Sequence, residues 1–366
     1  MNINKWTVAL AAAGVVSLAS VTNAQEAKET VKTLAASTTL SGYVSTSVNW
    51  TPGTQNELSR YRSFNSGKTD RFALDVISLT LASKAGEGEW AAGYKATLWA
   101  GPDATALDTG EDDNNVAIKN AYISLRAPLG SGVDLKLGVF DTIIGYESTD
   151  RNVNPFYSHS WGFSVEPTQH TGLLASYRVS DSISISAGIA NTTDAVINGA
   201  ATNTQRKTYM AAATLTAPES FGFLKGTSVT AGWVGGRANG GSTSTDSLYV
   251  GGTIPLPIKD LSLGLAWDNV GRDNLVDTSV IAAYLSYKVS DKLTAAARVE
   301  YLDVGNATVG ATVVGSEALS TTIGLDYKLW ANVISRLEYR LDTSADSEVN
   351  GRKHNSAVIA NVIYNF

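Results

Sequence analysis

In the last quarter of the chain, charged side chains return at every second residue: Arg298 and Glu300, then Asp326 and Lys328, then Arg336, Glu338 and Arg340. Their neighbours are Ala297, Val299 and Tyr301, then Leu325 and Tyr327, then Leu337, Tyr339 and Leu341. A two-residue period puts the two sets on opposite faces of a strand. Arg126, Lys136 and Arg178 take the same polar phase earlier in the chain. Charges of both signs on one face set a transverse field across an aqueous passage, which orients water and disfavours apolar solutes. A long aperiodic stretch, Asp141 to His170, adds the carboxylates Asp141, Glu147, Asp150 and Glu166. These are expected to line a constriction opposite Arg178, Arg298, Arg336 and Arg340.

Other chemistries have thinner support. The chain has 3 histidines, His159, His170 and His354. His159 lies between Ser158 and Ser160, but adjacent residues make no nucleophile–base pair unless others converge on them. Asp108, Glu111, Asp112 and Asp113 lack calcium-loop spacing and read as a solvated loop. No cysteine is present, and no phosphate loop or dinucleotide fingerprint, so no metal site and no cofactor is expected. A net charge of −6 argues against a nucleic-acid partner.

The elements that must position these residues are strands. Val133, Leu135, Leu137 and Val139 alternate with Asp134 and Lys136, and Thr171, Leu173, Ala175, Tyr177 and Val179 resume the pattern after the long stretch. The same alternation starts at Thr39 to Trp50 and recurs to Asn355 to Phe366, giving sixteen strands, with Lys207 to Ala217 the weakest. Predicted turns include Lys84 to Glu89, Pro128 to Gly132 and Ser290 to Lys292, and short connections alternate with long ones. Charged residues make up 17% of the chain, below the roughly 25% of soluble domains. A polar-in, apolar-out strand pattern with alternating loop lengths is that of a membrane barrel, which satisfies every backbone group without water. Sixteen strands leave room for an aqueous channel. On this reading Tyr94, Trp267, Tyr287, Tyr301, Tyr327, Tyr339 and Tyr364 form an interfacial girdle.

Residues 1–24 read as a cleaved signal peptide, with Lys5 in the n-region, an apolar run from Val8 to Ala19 and small residues up to Ala24. Residues 25–37 are polar and read as a periplasmic tail, and 38–366 as the barrel.

Three runs carry a family resemblance. Gly138-Val-Phe-Asp-Thr-Ile-Ile-Gly-Tyr-Glu147, Asn154-Pro-Phe-Tyr-Ser-His-Ser-Trp-Gly-Phe-Ser-Val-Glu-Pro-Thr-Gln-His-Thr-Gly172 and Thr216-Ala-Pro-Glu-Ser-Phe-Gly-Phe-Leu-Lys-Gly226 resemble Gram-negative outer-membrane β-barrel porins. The resemblance implies an all-β, transmembrane, antiparallel up-and-down barrel whose long loop 141–170 folds into the lumen. It also implies passive diffusion of small hydrophilic solutes and ions, contact with outer-membrane lipid and lipopolysaccharide, and a homotrimer as one open assembly. The Pro-Glu-Phe-Gly-Gly loop motif of the enteric general porins is absent, so their constriction residues do not transfer. Tyr364 and Phe366 resemble the terminal signal read by the barrel-assembly machinery. Two other readings stay open, an outer-membrane hydrolase and a structural or anchoring barrel. Ile359 and Ile363 break the outward phase of the last strand and predict packing beneath a plug or tail.

Overall fold

The computed structural model describes residues 38–51, 68, 70–86, 90–109, 115–202, 206–273, 277–309, 312–344 and 354–366. The expected leader 1–24 and tail 25–37 lie outside the described residues, as do Glu111, Asp112 and Asp113. The strands are β1 (Thr39–Trp50), β2 (Arg71–Ser83), β3 (Ala92–Ala100), β4 (Val116–Ala127), β5 (Val133–Asp141), β6 (Gln169–Ser180), β7 (Ile183–Ala190) and β8 (Thr208–Thr216). They continue as β9 (Ser228–Arg237), β10 (Ser244–Pro255), β11 (Leu261–Arg272), β12 (Thr278–Lys288), β13 (Leu293–Val309), β14 (Thr312–Trp330), β15 (Val333–Ser344) and β16 (His354–Asn365). Each pairs antiparallel with its sequence neighbours, and β1 pairs with β16, so the sixteen strands close into a barrel. Closure extends to Phe366, whose amide donates to Gly42 O at 3.0 Å and whose carbonyl accepts from Gly42 N at 2.9 Å. Closure leaves no unpaired edge in lipid.

Side-chain phase follows the predicted alternation. On β14 and β15, Ile323 and Leu337 are 55% and 52% exposed on the outer surface, whereas their neighbours Thr322 and Glu338 are buried inside. Two bulges reset that phase. Ser45 pairs with Val76 and Thr46 with Leu74, leaving Asp75 as the extra residue on β2. Thr97 pairs with Asn120 and Leu98 with Ile118, leaving Lys119 extra on β4. Asp75 with Val76, and Lys119 with Asn120, are consequently all buried side by side in sequence.

Loop lengths depart from strict alternation. The 217–227 connection carries a short 3-10 turn (Glu219–Leu224), while residues 238–243 suffice between β9 and β10. The strands β13 and β14 run on to Val309 and from Thr312, where the pattern predicts ends near Tyr301 and Leu319, because the ladder continues past a register shift at Val304/Ala307. The stretch after Trp99, expected as an acidic loop, begins with helix α1 (Pro102–Leu107), whose Asp103, Ala104 and Leu107 are buried.

Candidate functional site

The segment between β5 and β6 carries one short helix, α2 (Trp161–Val165), capped by Ser160, whose hydroxyl accepts from Phe163 N at 3.1 Å. Its polar groups end on side chains of distant strands. Tyr157 N and Ser158 N donate to Glu338 of β15 at 2.6 Å and 3.2 Å, and the Ser158 hydroxyl bonds the same carboxylate. Trp161 N donates to Glu300 of β13 at 2.5 Å. Arg340 Nη1 donates to His159 O at 2.5 Å, and Arg336 Nη2 to Asn154 O at 2.6 Å. Backbone groups of an irregular segment need partners wherever water is excluded, and wall charges supply them here.

Glu147 is the centre of this contact. Its Oε1 accepts from Arg298 Nη1 at 2.7 Å and the Tyr284 hydroxyl at 3.0 Å, and its Oε2 from Ser160 N at 3.0 Å, with His159 Nδ1 at 3.2 Å. Burial pushes this carboxyl up, but Arg298, His159 and the Ser160 amide together hold it down to about 2. Arg298 Nε also meets Glu300 Oε1 at 2.6 Å, and its guanidinium lies 4.9 Å from the Phe156 ring centroid.

The apolar side of the segment fits sockets in the wall. Ile144 and Phe156 join Leu174, Met210, Val234, Tyr249 and Tyr284 in one buried cluster, with Tyr146 packed against it. Three inward glycines leave the room. A Cβ at Gly264 would collide with the Tyr146 hydroxyl, one at Gly232 would sit 2.6 Å from Ile144 Cγ2, and one at Gly324 3.1 Å from Phe156. Ile359 and Ile363, the inward residues of β16, pack with Tyr157 and with Phe163 respectively. The segment itself is therefore the plug that their phase predicted.

The four predicted loop carboxylates have three different fates. Glu147 reaches Arg298 as expected. Asp141 and Asp150 both bind Lys119 at 2.9 Å instead of an arginine. Glu166 hydrogen-bonds a second carboxyl, Asp268; burial and that neighbour push Glu166 well above the usual carboxylate range, so it holds a proton. The wall residues divide similarly. Arg298, Glu300, Arg336, Glu338 and Arg340 keep the interior phase, but they are buried beneath the segment, not open to water. Arg336 is further tied to Asp326 at 2.6 Å and Arg340 to Asp342 at 2.8 Å. Arg126 pairs with Asp134 at 3.1 Å, and the largely exposed Arg178 pairs with Asp181 at 3.0 Å in the following turn, so neither meets a loop carboxylate. Lys136 packs its ammonium 5.2 Å from the Tyr122 ring centroid. Tyr364 is outward and half exposed.

A second ionic group escaped sequence reasoning. Asp75 accepts from Ser45 and Ser47 hydroxyls at 2.8 Å, Tyr157 OH at 2.7 Å and Lys68 Nζ at 2.9 Å. Lys68 also bonds Asp103 of α1, as does Arg151. Arg151 stacks over Tyr157 at 4.2 Å. Asp75 and Lys119 belong to the bulged strands, where a strict two-residue count assigns the wrong face, whereas Lys68, Asp103 and Arg151 lie outside the strands.

His159 is buried and stacked on Phe163 with 3.8 Å between ring centroids. Burial lowers its pKa below the ordinary histidine value, despite the opposing pull of Glu147. Ser158 is committed to Glu338 and Ser160 to its capping bond. No group of three potential metal ligands exists among the described residues.

A closed antiparallel barrel of sixteen strands, apolar outside and charged within, with a long segment bonded across its interior, defines the class of bacterial outer-membrane porins. Residues 37–366 match the family model described as "Putative beta-barrel porin-2, OmpL-like", and the chain belongs to that family. It is a porin of the outer membrane. No curated protein matches it. Among solved structures, OmpT of Vibrio cholerae in its trimer form is similar at 14% identity and TM-score 0.61, over 90% of this chain and 99% of that one. The anion-selective porin from Comamonas acidovorans matches at 15% identity and TM-score 0.58, over 90% and 99%. The outer membrane channel DcaP of Acinetobacter baumannii matches at 11% identity and TM-score 0.58, over 90% and 97%. These likenesses are of fold.

Proposed function

We propose that the protein is a non-enzymatic diffusion channel for small hydrophilic solutes and ions, and that residues 142–168 form the inward loop that narrows it. The observation that carries this reading is the Glu147–Arg298 contact at 2.7 Å with its Tyr284 and Ser160 bonds, because it fastens the loop to strands well away from those that carry it. A loop held this way subtracts cross-section from a barrel otherwise wide enough for an aqueous channel. The buried, stacked His159 offers no surface to a hydrolysable substrate, which favours a channel over a hydrolase. A homotrimer inserted by the barrel-assembly machinery through Tyr364 and Phe366, in contact with lipopolysaccharide, completes the reading; cross-linking in outer membranes tests the trimer. Planar-bilayer conductance tests the channel. Deleting Ser148 to Ser160 is expected to raise single-channel conductance and admit larger sugars, with the barrel still folded. A folded deletion variant with unchanged conductance would put the constriction elsewhere.

A further inference from the structure

The ladder brings the cations of three adjacent strands onto one strip of inner wall. Lys95 of β3 stands opposite Tyr122 of β4, and Lys136 of β5 stands opposite Ser124. In the register of β4, therefore, Lys119, Lys95, Lys136 and Arg126 occupy levels 119, 122, 124 and 126. At roughly 3.3 Å per residue, successive cations are about 7–10 Å apart along the strand direction. The end members are paired: Lys119 binds both Asp141 and Asp150, a group of net charge −1, and Arg126 is cancelled by Asp134. The middle two are not. Among the described residues neither Lys95 nor Lys136 forms an ion pair, and the contact of Lys136 is the Tyr122 ring. Both lysines and Tyr122 are half-buried, while the charges under the loop are buried. The Asp141 side chain, at the top of the strip, is 45% exposed, so water reaches this side of the loop.

We propose that the β3–β5 wall is the route of permeation and that Lys95 and Lys136 make it selective for small organic carboxylates, with Tyr122 holding Lys136 in place between them. This rests on the diffusion-channel reading and names its solute class. Counting the strip, three lysines face two aspartates, and Arg126 cancels Asp134. The surplus is one positive charge, concentrated at the two lysines that have no carboxylate partner. A carboxylate entering past the Lys119–Asp141–Asp150 group meets Lys95, then Lys136 a step lower, and leaves past a neutral pair. Sites close enough to hand an ion on, yet each limited to a single half-buried ammonium, bind weakly enough to release it. A cation on the same path meets the same two lysines as like charges, on a strip that is net positive by one.

The test is reversal potential across a planar bilayer in a potassium chloride gradient, followed by substitution of benzoate for chloride. Wild-type channels are expected to prefer chloride over potassium and to pass benzoate. Lys95→Gln with Lys136→Gln should lower the anion-to-cation permeability ratio below one and remove benzoate flux, with single-channel conductance in concentrated salt little changed. Lys288→Gln, which removes a cation paired with Asp291 at an exposed turn, should leave the ratio as it is. A conducting double variant with wild-type selectivity and benzoate flux would overturn the carboxylate path while leaving the channel intact. Failure of the wild type itself to conduct would instead overturn the channel reading.

Discussion

Replacing Glu147 by Gln tests how the loop is held. The variant keeps the side chain's shape but removes the charge that Arg298 faces at 2.7 Å, and it places an amide NH2 or a poorer acceptor against Ser160 N at 3.0 Å. Breaking a buried ion pair by deleting one partner costs about 3–5 kcal/mol. Arg298 retains Glu300 at 2.6 Å, so the loss belongs at the lower end of that range. The titration gives a second route to the magnitude. A carboxyl lowered from 4.5 to about 2 stabilises the docked loop by about 3 kcal/mol at neutral pH. Because the folded pKa is depressed, that contribution is present above about pH 4.5 and is lost as pH falls through about 2. Protease cleavage within 148–160 in folded, detergent-solubilised protein reports loop release, and open-channel noise reports its motion. E147Q is expected to show at pH 7 the cleavage rate and noise that the wild type reaches only below about pH 2. A wild-type transition near pH 4.5, or a variant indistinguishable from the wild type at pH 7, would refute the assignment of Glu147 as the fastening group.

Gly264→Val should displace Tyr146 and raise open-channel noise without unfolding the barrel, whereas Gly271→Ala, whose added Cβ would meet only Asp277 Oδ1 at 3.4 Å, should be silent in the same recordings. Glu166 titrates in the opposite sense to Glu147: its raised pKa makes the bond to Asp268 strongest in acid and weakest as pH climbs through that pKa, so alkaline conditions should loosen the loop's C-terminal end and Glu166→Gln should abolish that dependence in hydrogen exchange. Ile323→Arg places a charge on the lipid face midway between the levels of Leu319 and Tyr327 and should destabilise the barrel by about 2–4 kcal/mol in urea refolding, with Thr322→Ser next to it, which keeps the hydroxyl bonded to Arg298, costing far less.

The strand count, the faces and the position of the long loop were legible because lipid outside and polar groups inside impose a two-residue period through most of β10 to β16, with shifts only near strand ends. Legibility failed where that period is interrupted. Asp75 and Lys119 are the extra residues of bulges, so parity counted from either end of their strands sends one of the two buried neighbours outward. Asp103 and Arg151 were missed for another reason: each sits in an irregular connection, where no period exists to say which way a charge points. Among the loop carboxylates, sequence supplied the set but not the pairing. Arg178 was misplaced because phase gives a face and not a depth, and its position one turn from Asp181 takes it to the rim.

What decides the role of each interior charge is whether the loop covers it. Arg298, Glu300, Arg336, Glu338 and Arg340 share a strand phase with Lys95 and Lys136, and sequence alone treats them alike. A buried ionic network contributes little net stability over an apolar one, because desolvation consumes most of the attraction. Its bonds are directional, however, and those five side chains terminate the loop's Tyr157, Ser158 and Trp161 amides and its Asn154, Ser158 and His159 carbonyls. They fix where the loop lies. The apolar sockets at Gly232, Gly264 and Gly324 add affinity to that placement from the other side. With the loop pinned between these two walls, the β3–β5 strip is left to water, and its two lysines, which form no ion pair among the described residues, remain to act on solutes. Selectivity on this argument follows from loop placement, so a variant that frees the loop should lose anion preference as well as size exclusion, even with Lys95 and Lys136 untouched.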